Sequence, residues 1–110
     1  MGLSLVRQQR LREAIPELAM AAQLRLDVPR YAYVYGVALH ATGEVQGALQ
    51  VLTEAHQRHP ADRDILVALV EYYRQAGDRQ AAIVWARKLV ELSPGDSRGR
   101  GLLESLEGQR

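Results

Sequence analysis

His56 and His59 are the first residues of this chain whose type and spacing suggest chemistry. Three residues apart near the end of a helical run, their imidazoles fall on one helix face and offer two ligands to a divalent metal. The sequence sets no third ligand beside them. The 110 residues contain no cysteine, which removes thiolate metal sites, disulfides, haem attachment and cysteine nucleophiles together. A plainer account of the pair is electrostatic: cations near a helix C-terminus meet the negative end of its dipole. His40 lies one turn before Gly43 on a different helix, with no serine or cysteine set to use it. The expectation is no catalytic residue, no bound metal and no cofactor.

Other candidates fare no better. Asp64 and Glu71 stand seven apart on one helix, but a carboxylate pair needs a pocket before it can do acid–base work. The tail fragment RGRG has a Gly-x-Gly spacing and follows no strand, so it is not a phosphate loop. Trp85 sits among apolar helix positions and reads as a packing residue. Fourteen basic and thirteen acidic residues give a net charge of +1. Bases and acids alternate along the chain, leaving no stripe for nucleic acid or an anionic membrane. No segment approaches membrane-spanning length, and the start of the chain has no apolar core of signal-peptide size. The compartment, cytoplasm or periplasm, stays open.

The elements that would position any site are written three times. Gly43 and Gly77, Ala48 and Ala82, and Pro60 and Pro94 share one separation of 34 residues. The same offset aligns Ala14 with Ala48, Ile15 with Leu49, Leu18 with Leu52, Ala21 with Ala55 and Gly2 with Gly36. A period of this size marks stacked supersecondary units. In the middle copy Tyr31, Val34, Tyr35, Ala38 and Leu39 recur at helical spacing, Gly43 ends that helix, and Val45, Ala48, Leu49, Leu52 and Ala55 mark a second, which Pro60 ends. The third copy repeats the design through Leu66, Leu69, Val70 and Tyr73, then Gly77, Ala82, Ile83, Ala86, Leu89, Val90 and Pro94. Gly36 and Ala48 are small enough for close helix crossing, with residues 35, 39 and 52 filling the space beside it. The spacing predicts seven helices, near 3–8, 11–25, 30–42, 45–58, 63–76, 79–92 and 97–107. In the last, Leu102, Leu103 and Leu106 dock while Glu104 and Glu107 face water, and Gly99 and Gly101 weaken its start.

Tyr35, Gly36, Leu39, Gly43, Ala48, Leu52, Ala55 and Pro60 in one copy, and Leu66, Leu69, Tyr73, Gly77, Ala82, Ala86 and Pro94 in the next, resemble the tetratricopeptide repeat. The likeness runs over roughly residues 1–96. Departures are Ala32 in place of a large residue, Val70 in place of a small one, Gln9 in place of glycine and Leu26 in place of the closing proline. The resemblance implies an all-α fold, a right-handed α-solenoid of antiparallel helix hairpins. It divides the chain into a partial repeat over 1–28, full repeats over 29–62 and 63–96, and a capping helix over 97–110. It also suggests a piece of a larger bacterial repeat protein.

The function it implies is a non-catalytic scaffold that binds a protein or peptide segment in a concave groove lined by the first helix of each hairpin. The implied groove residues are Arg30, Tyr33, Val37 and His40, then Asp64, Val67, Glu71 and Arg74, with Leu3 and Val6 continuing the row. Family members that capture a chaperone C-terminal carboxylate use Lys, Asn and Arg at such places. Tyr33, Val37 and Val67 stand here instead, so that specificity is not expected. The competing reading is a structural module that pairs with a second copy or packs against the rest of a larger protein. Neither reading involves nucleic acid or membrane insertion.

Overall fold

The computed structural model describes residues 2–108, with side chains from residue 7 onward. Its described residues form six helices and no strand: α1 (Gly2–Leu24), α2 (Pro29–Ala41), α3 (Val45–Arg58), α4 (Arg63–Gln75), α5 (Arg79–Leu92) and α6 (Ser97–Gly108). The five helices expected from residue 30 onward appear within one residue of their expected bounds. They divide into two compact units, Met1–Pro60 with α1 to α3 and Ala61–Arg110 with α4 to α6.

The first unit corrects one expectation. Separate helices over 3–8 and 11–25 are replaced by the single helix α1. The reason lies in the turn residue. Gly43 and Gly77, which end α2 and α4, adopt φ of 91° and 84°, a left-handed conformation that costs other residues about 1 kcal/mol or more. Each closes the same hydrogen-bond motif, Glu44 N–H to Leu39 O at 2.8 Å and Gly43 N–H to His40 O at 3.1 Å, then Asp78 to Tyr73 at 3.0 Å and Gly77 to Arg74 at 3.1 Å. At the matching place in the first copy stands Gln9, a good helix former with no ease at positive φ, and the helix runs through. The row residues Leu3 and Val6 have side chains outside those described.

Within this unit α2 packs on both α1 and α3. Ala48, Leu52 and Ala55 are fully buried on α3, with Leu49 and Leu39 close to it. Gly36 is required here: a Cβ on it would lie 2.9 Å from Cγ and Cδ2 of Leu52, so the bare glycine is what lets α2 sit over that leucine. The small residue at the crossing is as expected, and its neighbour is the Leu52 side chain.

In the second unit α5 packs on both α4 and α6. Val70, Ala82, Ile83, Ala86 and Leu106 form one buried cluster, with Tyr73, Trp85, Leu102 and Leu103 packed against it. The docking leucines of the tail are therefore those expected, and Glu104 and Glu107 are exposed. Gly99 also has a packing role. It is buried against α5, where a Cβ would come 3.3 Å from Leu89 Cγ. All three helices of this unit begin with an aspartate whose carboxylate accepts a backbone N–H: Asp62 from Ile65 at 3.1 Å, Asp78 from Ala81 at 3.2 Å and Asp96 from Arg98 at 3.0 Å. Such caps satisfy donors that the helix itself leaves unpaired.

Candidate functional site

The eight row residues divide evenly between the units. Arg30, Tyr33, Val37 and His40 lie on α2, Asp64, Val67, Glu71 and Arg74 on α4. Steps of three or four residues keep each set on one helix face. On α4 the intervening Ile65, Leu66, Ala68, Leu69 and Val70 are buried, whereas Asp64 and Arg74 are exposed and Val67 and Glu71 half-buried. On α2 the intervening Ala32, Gly36, Ala38 and Leu39 are buried, while Arg30 is exposed and Tyr33, Val37 and His40 half-buried. Each first helix thus commits one face to the core and keeps apolar residues among polar ones on the other.

The two charges at the end of the α4 row answer each other. Arg74 Nη2 donates to Glu71 Oε2 at 2.6 Å, one turn apart on a partly exposed face. Exposed pairs of this kind contribute little to stability, and they hold both side chains in one orientation.

His59 takes up a structural position. His59 Nε2 donates to the Leu26 carbonyl at 2.7 Å, tying the end of α3 to the connector between α1 and α2. A donating Nε2 is not a metal ligand in that geometry. His56 is half-buried one turn earlier. Among the described residues no three His, Asp or Glu side chains gather as a metal-binding group. Trp85 packs on the second unit's cluster, with Lys88 Nζ 5.8 Å from its ring centre, a cation–π distance.

Sequence reasoning missed a cleft in the first unit, about 730 Å³ in volume, among α1, α2 and α3. Its floor includes Ala32, Tyr35 and Leu39, and its walls include Ile15 on α1 and Gly47 and Val51 on α3. None of the eight row residues lines it. The signal was present in the 34-residue register. Ala32 and Val51 align with Leu66 and Trp85, so the first unit lacks side-chain volume that the second possesses. Space of this size suits a small ligand or an inserted side chain, and Arg12, Glu44, Glu54 and Arg58 also line it.

No curated protein matches the chain. Two family models of the tetratricopeptide repeat do match, one over residues 1–62 and the other over residues 39–106. Each covers more than half of the sequence, and the two overlap over residues 39–62, which hold the turn at Gly43 and α3. The chain belongs to the tetratricopeptide repeat family.

Proposed function

We propose that the chain is a non-catalytic scaffold that binds a partner protein or peptide segment through the exposed faces of α2 and α4. Tetratricopeptide repeats as a family mediate protein–protein interactions, and the family is generally non-catalytic. The observation that carries the reading to particular residues is the split face of these two helices. Tyr33, Val37 and Val67 are apolar, only half-buried, and set between polar residues. An aromatic or aliphatic side chain of the partner would meet Tyr33 and Val37 on α2, and another would meet Val67 on α4, each beside charged residues of the same helix. No helix among the described residues is long and apolar enough to cross a membrane.

Tyr33 is the chief anchor. Aromatic contacts commonly lose about 2 kcal/mol or more of binding on truncation. The test compares wild type with a Tyr33→Ala/Val67→Asp double variant in pull-downs from native lysate, with thermal melts of both. Loss of a wild-type partner at an unchanged melting temperature supports the reading. A folded double variant that retains every partner overturns it.

A further inference from the structure

Among the described residues six large hydrophobic side chains are exposed, and four of them lie between positions 20 and 31. Met20, Leu24, Leu26 and Tyr31 are 62, 73, 48 and 40% exposed. Met20 and Leu24 are one turn apart on α1, on the side away from the buried Ala22. Leu26 follows in the connector. Tyr31 stands in the first turn of α2, within electrostatic reach of the Arg25 guanidinium. In the 34-residue register Met20 aligns with Glu54 and Lys88, and Leu24 with Arg58 and Leu92, so the first copy alone is apolar at both positions. Single exposed leucines need no explanation, but a cluster does.

Beside this cluster lies an ion pair. Arg25 Nε and Nη2 reach the two carboxylate oxygens of Asp27 at 3.1 and 3.2 Å, with both side chains more than half exposed. A wholly acidic or wholly basic partner would meet one of these charges unfavourably. A second copy of the same surface would not. A twofold axis sets a patch against its own image, so an apolar cluster meets an apolar cluster and a base next to an acid meets an acid next to a base. The surface is complementary to itself in both respects.

We propose that this surface is a homodimer interface, with the Met20, Leu24, Leu26 and Tyr31 cluster of one copy packed on that of a second copy and Arg25 of each facing Asp27 of the other. The interface shares no residue with the α2 and α4 rows, so variants of one leave the side chains of the other in place. Charge complementarity fixes the partner's orientation and hastens encounter, while the apolar cluster holds the contact.

The test is light scattering and sedimentation equilibrium of the full chain over a concentration series. The expected result for wild type is a dimer. Leu24→Glu is expected to weaken it at least about tenfold. Met20→Gln is a milder second variant if that charge disturbs folding. Arg25→Asp and Asp27→Arg, each alone, set like charges across the axis and should also weaken pairing about tenfold. An equimolar mixture of those two should recover the dimer at low salt, because the acidic patch of one then faces the basic patch of the other. The Tyr33→Ala/Val67→Asp variant should dimerise as wild type does, which separates this proposal from the partner-binding one. A wild-type monomer up to about 1 mM overturns the proposal. So does a dimer indifferent to folded Leu24→Glu and Met20→Gln variants, or a charge-variant mixture that associates no better than its parents.

Discussion

The hairpin α2–α3 and the hairpin α4–α5 are two versions of one design, and they are finished to different degrees. In α4–α5 a leucine and a tryptophan stand at positions 66 and 85, where α2–α3 has Ala32 and Val51. Leu66 is 1% exposed and Trp85 packs on the Val70 cluster, whereas Ala32 and Val51 border an open cleft. Both α4 and α5 start on a capping aspartate, while Val28 and Glu44, at the starts of α2 and α3, make no side-chain cap. α6 then covers α5, burying Leu106 and pairing Glu107 with Arg87 at 3.2 Å. Backbone pattern alone fixes the hairpin in both units. What differs is side-chain volume and end chemistry, and these are the levers by which one repeat fills its interior and another keeps internal space.

The largest expected effect tests that difference by removal. Leu66→Ala gives the second unit the residue found in the first. A fully buried leucine truncated to alanine typically costs 2–5 kcal/mol, so chemical denaturation should show a loss of about 3 kcal/mol. A loss under about 1 kcal/mol would mean that Leu66 is not what separates the two hairpins. The reciprocal change, Ala32→Leu, should stabilise by roughly 1 kcal/mol through cavity filling. It should also protect the cleft from an apolar fluorescent probe such as anilinonaphthalene sulfonate. A destabilised Ala32→Leu variant would show that the backbone around Ala32 has closed too far to accept the leucine.

Much of this was legible in residue identity. Glycine at 43 and 77 and proline at 60 and 94 announced the turns because each has a backbone consequence that other residues do not share. The tail helix was readable from its three leucines. The continuity of α1 was not, although Gln9 had been recognised as a departure. A missing stop signal is weaker evidence than a present one, since neighbours can force a turn without glycine. Of the candidate site, the row that holds Tyr33, Val37 and Val67 came from the family resemblance, because period alone does not say which exposed face a partner would use. The Glu71–Arg74 pairing depends on side-chain rotamers, and the bond from His59 to Leu26 joins residues 33 apart in sequence, which only the folded path brings together.

The caps provide a finer comparison. Asp78→Ala should cost about 1 kcal/mol, since it leaves the Ala81 N–H without its acceptor. Glu44→Asp should gain up to about 1 kcal/mol, because the shorter carboxylate reaches the corresponding N–H at the start of α3. If Glu44→Asp has no effect on the melting temperature, the two turns differ in backbone geometry as well as in side chain.

The smallest expected effect concerns what each unit does with an aspartate near a helix junction. In the second unit the carboxylates of Asp62, Asp78 and Asp96 face backbone donors. In the first, the hydrogen bond from Arg25, aided by the Asp27 backbone, holds the Asp27 carboxyl below its ordinary value of 3.8. A lowered folded-state value means that the ionised form is favoured by folding. The contribution is therefore complete above the unfolded value and is lost as pH falls through the lowered folded one. The pair is fully solvated, so the effect on stability is slight and screened by salt. Carbon-detected carboxyl titration at dilute, monomeric concentration should show Asp27 titrating below an ordinary aspartate. Arg25→Gln should move it up, and added salt should move wild type in the same direction. An Asp27 midpoint unmoved by Arg25→Gln would mean that the guanidinium is not its partner in solution, and that this turn, unlike the capped starts of α4 and α5, holds its charge without a fixed contact.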